Sequence, residues 1–141
     1  MLKKILSISG KPGLYKLVTQ GKNMLIVESL IDGKRMPSFS KDKVVSLNDI
    51  AIFIEDGEIK LGEVLEKIKT KENGASIAVD SKADNNSLKK YMLSVLPEYD
   101  QERVYPSDIR KLISWYNLLI DKGITDFLET EEQEEVVPEN Q

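Results

Sequence analysis

Between two helix-like segments, the stretch Leu96-Pro97-Glu98-Tyr99-Asp100-Gln101-Glu102-Arg103-Val104-Tyr105 carries three carboxylates and two tyrosines, residue types that could hold a cation or pass a proton. Neither a glycine turn nor metal-ligand spacing accompanies them, so the stretch reads as a solvated interhelical linker. Asp80-Ser81-Lys82-Ala83-Asp84-Asn85-Asn86 has the oxygen donors of a calcium loop, but Lys82 stands where a ligand is required and the turn glycine is missing. It reads as a helix-capping loop. Gly10-Lys11-Pro12-Gly13 is basic and could cradle a phosphate. It lacks the Gly-Lys-Ser/Thr ending and the following helix of a P-loop, and a strand-like run comes next.

The residue types that are missing narrow the chemistry further. The chain contains no histidine and no cysteine, which removes the commonest general base near neutral pH, the Ser-His-Asp triad, thiolate nucleophiles, thiolate zinc sites and disulfides. No catalytic residue, metal or cofactor is therefore expected. An enzyme here would have to work with Asp, Glu, Lys, Ser or Tyr alone.

Binding chemistry remains. Met1 to Leu47 holds nine lysines and arginines against Glu28, Asp32 and Asp42, whereas Glu129 to Gln141 holds six glutamates and no basic residue, within an overall charge of −4. Lys11, Lys34 and Arg35, together with Tyr15 and Phe39, could form a basic, aromatic surface for an acidic protein or for RNA, since cations neutralise phosphates and rings stack on bases. The sequence has no RNP-type aromatic motif and no dense arginine cluster. An ordinary lysine-rich surface is the plainer reading of the same residues. Trp115 and Tyr116, inside Ile113-Ser114-Trp115-Tyr116-Asn117-Leu118-Leu119, could form an interface because aromatics concentrate at hot spots, or could be core residues of a helix buried on two sides.

The elements that would position these residues change character part-way along the chain. Up to about Glu55, short apolar runs alternate with turn residues in the spacing of an all-β unit. Strands are expected over Lys3–Ile8, Leu14–Thr19, Met24–Leu30, Lys34–Phe39 and Ile50–Glu55, with a two-residue hairpin turn at Asp32-Gly33 and Pro37 on an edge or bulge. Such a set makes a small antiparallel barrel of SH3-like type or a curved sheet. After Asp56-Gly57 the period becomes that of a helix: Leu61, Val64, Leu65 and Ile68 share one face. A second helix, capped by Asp84, Asn85 or Asn86, carries Leu88, Tyr91, Met92, Val95 and Leu96 and ends at Pro97. A third starts near Pro106 and runs to Lys122, its apolar stripe wide enough to imply burial on more than one side. Ser76–Val79 is a short β-like run within a polar loop. The expected architecture is α+β: a β-rich subdomain over 1–57, a helical subdomain of about three helices over 58–128, and an acidic disordered tail over 129–141.

No apolar run approaches the roughly 18 residues needed to cross a bilayer. The opening MLKKILSISGKPG stops its apolar stretch at Gly10, short of a secretory core. A cytoplasmic setting follows as the expectation, and membrane attachment is not expected.

The opening Leu2-Lys3-Lys4-Ile5-Leu6-Ser7-Ile8-Ser9-Gly10-Lys11-Pro12-Gly13-Leu14, the run Ile26-Val27-Glu28-Ser29-Leu30 and the later Ile113-Ser114-Trp115-Tyr116-Asn117-Leu118-Leu119 resemble a family of short, uncharacterised proteins found in Bacteroidota. The resemblance spans all but the acidic tail and implies a bacterial cytoplasmic protein. It carries no activity, substrate or site residue onto this chain. The expected function is a non-enzymatic binding or adaptor module that meets a protein partner through the basic β-rich surface. An RNA-binding small barrel and a structural protein that self-associates through its aromatic C-terminal helix are the alternatives.

Overall fold

Runs of three to seven residues set off by turn residues become strands β1 (Ile5–Ile8), β2 (Tyr15–Gly21), β3 (Met24–Ser29), β4 (Arg35–Phe39) and β5 (Val44–Ser46) in the computed structural model, which describes residues 2–11, 13–39, 43–78 and 83–128. Their order is β4-β3-β2-β1-β5, antiparallel wherever two strands pair. β2 turns into β3 through Lys22-Asn23, where Asn23 adopts a φ of 58°. Asparagine tolerates that left-handed conformation better than most residues. The β2–β3 register slips between Leu17 and Thr19, a bulge that bends the strand and leaves Val18 exposed. Pro37 lies on β4, an outer strand, where its missing N–H interrupts no ladder.

One expectation needs correction. The link after β3 is not a two-residue hairpin: the last β3–β4 pair is Glu28↔Arg35, and Asp32 Oδ1 accepts the Lys34 N–H at 2.9 Å within a longer connection. The reason is Leu30, which leaves the strand to lie buried, its N–H donating to the Leu14 carbonyl at 2.9 Å. Burying a leucine stabilises by about 2 kcal/mol, which a tight turn would forgo. Of the barrel and the curved sheet that the strand set allows, the structure has the open sheet, since β4 and β5 are both edges. It is a curved sheet: Met36 of β4 and Val44 of β5 pack on one small cluster of Leu6, Ile8, Tyr15 and Val27.

A separate hairpin, β6 (Ala51–Ile54) and β7 (Gly57–Lys60), precedes the helices. β7 has no counterpart in the sequence reading, because Gly57-Glu58-Ile59-Lys60 offers one apolar residue to the alternation. The loop after the second helix lines the other edge of β6, with Glu55 N–H donating to Glu98 O and Asp100 N–H to Phe53 O, both at 3.0 Å.

The helices are α1 (Leu61–Glu72), α2 (Asn85–Val95) and α3 (Pro106–Asp121). Asp84 Oδ1 accepts the Ser87 N–H at 2.8 Å and caps α2. Asp108 Oδ2 accepts the Tyr105 N–H at 2.9 Å and closes the first turn of α3, with Pro106 at its first position. Ile77 of the β-like run is in no strand; its N–H donates to Asn117 Oδ1 at 2.7 Å, while Val79 lies outside the described residues. The acidic tail over 129–141 and Asp80, Ser81 and Lys82 of the capping loop also lie outside them.

Leu2, Ile5, Leu14 and Leu47 from the front half share a single hydrophobic cluster with Leu65 of α1, Met92 of α2 and Ile113 of α3. Sheet and helices are thus one packed unit, and α3, with five buried residues, runs through its middle. No helix among the described residues is long and apolar enough to cross a membrane.

Candidate functional site

The residues singled out from sequence are not gathered on one surface. Tyr15 is 7% exposed and belongs to the cluster inside the sheet. Its ring is not available for stacking, because the alternation of β2 points it, like Leu17, into the concave face. Phe39 is exposed at the far end of β4. Arg35 Nε lies 3.1 Å from Glu28 Oε1 across the β3–β4 pair, and Lys34 sits in the preceding turn. Lys11 is exposed in the loop after β1.

Trp115 and Tyr116 part company in the same way. Tyr116 is fully buried; its hydroxyl donates to the Ala75 carbonyl at 2.8 Å and its ring meets Phe127 at 6.1 Å between centroids. An interface role for Tyr116 is therefore corrected to a core role, since the side chain is already spent on both its apolar body and its polar tip. Trp115, one residue earlier, is half-buried on another side of α3.

That side of α3 is where the structure builds something. Between α3 and the loop that follows β1 runs an open groove of about 900 Å³. Lys11 reaches it from the sheet, and Arg110 and Lys111 from the helix. Ser7, Ser9, Ser107 and Ser114 add hydroxyls, and Ile31, Leu118 and Trp115 add apolar surface. Among the described residues no carboxylate lines it. Arg110 is steadied by Nη2 donating to Ala83 O at 3.3 Å and Asn85 Oδ1 at 3.4 Å, so the start of α2 holds the guanidinium without neutralising it. Lys11 and Lys111 make no ion pair among the described residues.

Adjoining the groove is a cleft of about 280 Å³ over β6, walled by Ile50, Ile52, Phe53, Met92, Leu112 and Trp115. Trp115 and Lys111 line both spaces. At the cleft's rim Arg103 Nε pairs with Asp100 Oδ2 at 2.9 Å while the guanidinium stands 4.4 Å from the centroid of the Phe53 ring. The Arg103 bond holds the Asp100 carboxyl below the usual carboxylate range, helped by the Glu102 N–H. Asp108, the one acid among the described residues that line the cleft, is occupied in capping α3.

The arrangement sets cationic and hydroxyl side chains beside apolar surface. Burial raises the Tyr91 phenol, reinforced by its 2.6 Å hydrogen bond to Glu72, and burial likewise raises Tyr99 and Tyr116. All three move away from neutrality, which suits structural tyrosines rather than proton carriers. Among the described residues no group of three or more acidic side chains is placed to hold a metal.

Arg110, Lys111, Ser107 and Ser114 escaped the sequence reading. Their signal was present as a polar face of α3 at i, i+3, i+4 and i+7, but nothing local showed that this face meets the loop carrying Lys11.

Residues 2–47 match the model of one domain of unknown function (DUF5606), and residues 50–119 match that of another (DUF6852). A Bacteroides vulgatus protein solved by NMR in solution is 56% identical, over 90% of this chain and 91% of that one, with a TM-score of 0.74. The chain belongs to this family. The two matched segments of the family fold here around one core, and the groove lies across them, with Lys11 in the first and Arg110, Lys111 and Trp115 in the second. No curated protein matches the chain.

Proposed function

We propose that the protein is a non-enzymatic binding or adaptor module whose partner is a protein segment: an extended acidic peptide that carries a bulky apolar side chain. The observation behind this reading is the wall that Lys111 and Trp115 share, which joins a groove holding, among the described residues, three cations and no carboxylate to an apolar cleft. Carboxylates of the ligand answer Lys11, Arg110 and Lys111, and one apolar side chain enters the cleft, where full burial is worth about 1.5–3 kcal/mol. Protein is favoured over RNA because the aromatic side chain of the groove is a single tryptophan flanked by Ile31 and Leu118, with Tyr15 buried and Phe39 on the far end of β4. Single-strand binders use successive stacking platforms. A chain without cysteine suits a cytoplasmic setting.

Fluorescence anisotropy with two labelled peptides, glutamate-rich and differing only in one central Leu or Ala, tests the reading. The Leu peptide should bind about tenfold more tightly than the Ala peptide, and Lys11→Ala combined with Lys111→Ala should weaken both. Equal binding by that double variant, or displacement of the peptide by oligouridylate at lower concentration than by unlabelled peptide, would overturn it.

A further inference from the structure

The groove between β1 and α3 leaves more hydrogen-bond donors unspent than a single carboxylate can use. β1 buries Ile5 in the shared core, and strand alternation puts Ser7 on the same face, with Ser9 just past the strand end. α3 buries Ile109, Leu112 and Ile113 and turns Ser107, Arg110, Lys111 and Ser114 to the groove. Serines thus stand where both elements pass out of the core. The hydroxyls of Ser7, Ser9, Ser107 and Ser114 have no hydrogen-bond partner among the described residues. Arg110 is held through Nη2 alone, by the neutral acceptors Ala83 O and Asn85 Oδ1, so Nε and Nη1 keep their protons for a ligand.

This donor set fits a phosphomonoester better than a glutamate. A glutamate brings one charge to three cations, whereas a phosphorylated side chain brings close to two charges at neutral pH and three strong acceptor oxygens. Those oxygens take guanidinium, ammonium and hydroxyl donors alike. Ser107, Arg110 and Lys111 stand at i, i+3 and i+4 on α3, about 5–6 Å apart at Cβ, and Lys11 comes from the facing loop. Among the described residues no carboxylate lines the groove to repel a dianion. Trp115 and the apolar cleft lie one turn beyond Lys111, about 5–6 Å along the helix. Two extended residues of a peptide span about 7 Å.

We infer that the charged half of the groove is a subsite for a phosphorylated serine or threonine of the partner segment. Lys11, Arg110 and Lys111 neutralise it, the serine hydroxyls complete its hydrogen bonds, and it stands two residues from the apolar side chain that enters the cleft. The inference rests on the acidic-peptide reading of the groove and adds a control to it. An unmodified serine at that position offers the cations nothing to neutralise, so the partner's phosphorylation sets its affinity.

Fluorescence anisotropy on the full chain tests this with labelled peptides that carry serine, phosphoserine or glutamate two residues before or after the leucine. The phosphoserine peptide should bind about tenfold more tightly than the glutamate peptide, and the serine peptide more weakly than either. Ser7→Ala with Ser114→Ala should remove most of that preference while glutamate-peptide binding stays within about twofold, which also shows the variant to be folded. An unchanged preference would strike the hydroxyls from the site. The chain has no histidine, so the second ionisation of the phosphoserine, near pH 6, supplies a separate readout: between about pH 5.5 and pH 7.5 the phosphoserine peptide should gain affinity and the glutamate peptide should not. Equal affinities for the phosphoserine and glutamate peptides, both tighter than serine, would refute the phosphate subsite and leave the acidic-peptide reading standing. Failure of all three peptides to bind would remove both. Displacement by inorganic phosphate at the same concentration as by unlabelled phosphoserine peptide would make the site one for the free anion and overturn the assignment to a partner segment.

Discussion

Lys111 and Trp115 stand four residues apart on α3 and form the common wall between the basic groove beside β1 and the apolar cleft over β6. Residues at i and i+4 project from the same side of a helix. One side chain brings charge and the other a flat apolar face, so a ligand crossing this wall meets both kinds of chemistry within one helical turn.

The cations outside the groove should be silent. Arg35 is paired with Glu28 at 3.1 Å, and neither Lys34 nor Arg35 lines the groove. Lys34→Ala with Arg35→Ala should leave acidic-peptide affinity within about twofold, because isolated surface charges contribute little. Lys11→Ala with Lys111→Ala should cost about tenfold and reduce the salt dependence. Titrations at two salt concentrations check both.

Gly62 is required by the segment that crosses it. A Cβ at 2.6 Å from the Phe127 carbonyl must displace backbone, so Gly62→Ala should lift Ile124–Phe127 from α1 and destabilise the fold by roughly 1–3 kcal/mol despite the better helix propensity of alanine. Urea denaturation gives the size of the loss, and faster hydrogen exchange at Thr125 to Phe127 would locate it.

Two buried tyrosines should respond in opposite ways to losing the hydroxyl. Tyr116 donates to Ala75 O at 2.8 Å, whereas the Tyr99 hydroxyl, buried with its residue 1% exposed, has no hydrogen-bond partner among the described residues. Tyr116→Phe should cost about 1–2 kcal/mol, and Tyr99→Phe should be neutral or stabilising by up to about 1 kcal/mol. Paired chemical denaturation curves decide the matter.

The cap of α2 makes one contribution to stability pH-dependent. Asp84 is lowered from the ordinary carboxylate value of 3.8, chiefly by the Ser87 N–H and then by the Ser87 side chain. A depressed folded value means the contribution is present above the unfolded pKa and is lost as pH falls through the folded one. Asp84→Asn should keep the cap while flattening this part of the acid limb. Asp84→Ala should lower stability near neutrality as well. Denaturation midpoints between about pH 2 and pH 7 distinguish the variants.

Local physics made much of this fold legible. The stripes Leu61–Ile68 and Ile109–Ile120 announced α1 and α3 through a period that any helix must show, and Asp84 announced its cap because the capping geometry spans three residues. The alternation in Ile5–Ile8 and Met24–Ser29 likewise announced strands. Leu30 was misread because its departure from β3 answers a core supplied by Leu14 and by distant helices.

The groove was illegible for the same reason. Lys11 and Lys111 are a hundred residues apart in the chain and share a surface only because β1 and α3 pack on one core. The sequence by itself determined the elements, the charge separation between the basic front and the acidic tail, and the absence of histidine and thiol chemistry. Tertiary packing alone decided which side chains were spent in the interior, as Tyr15 and Tyr116 are, and which remained at the surface, as Lys11 and Lys111 do. Periodicity specifies the face an element will bury, but which other faces become neighbours depends on contacts between residues far apart in the chain.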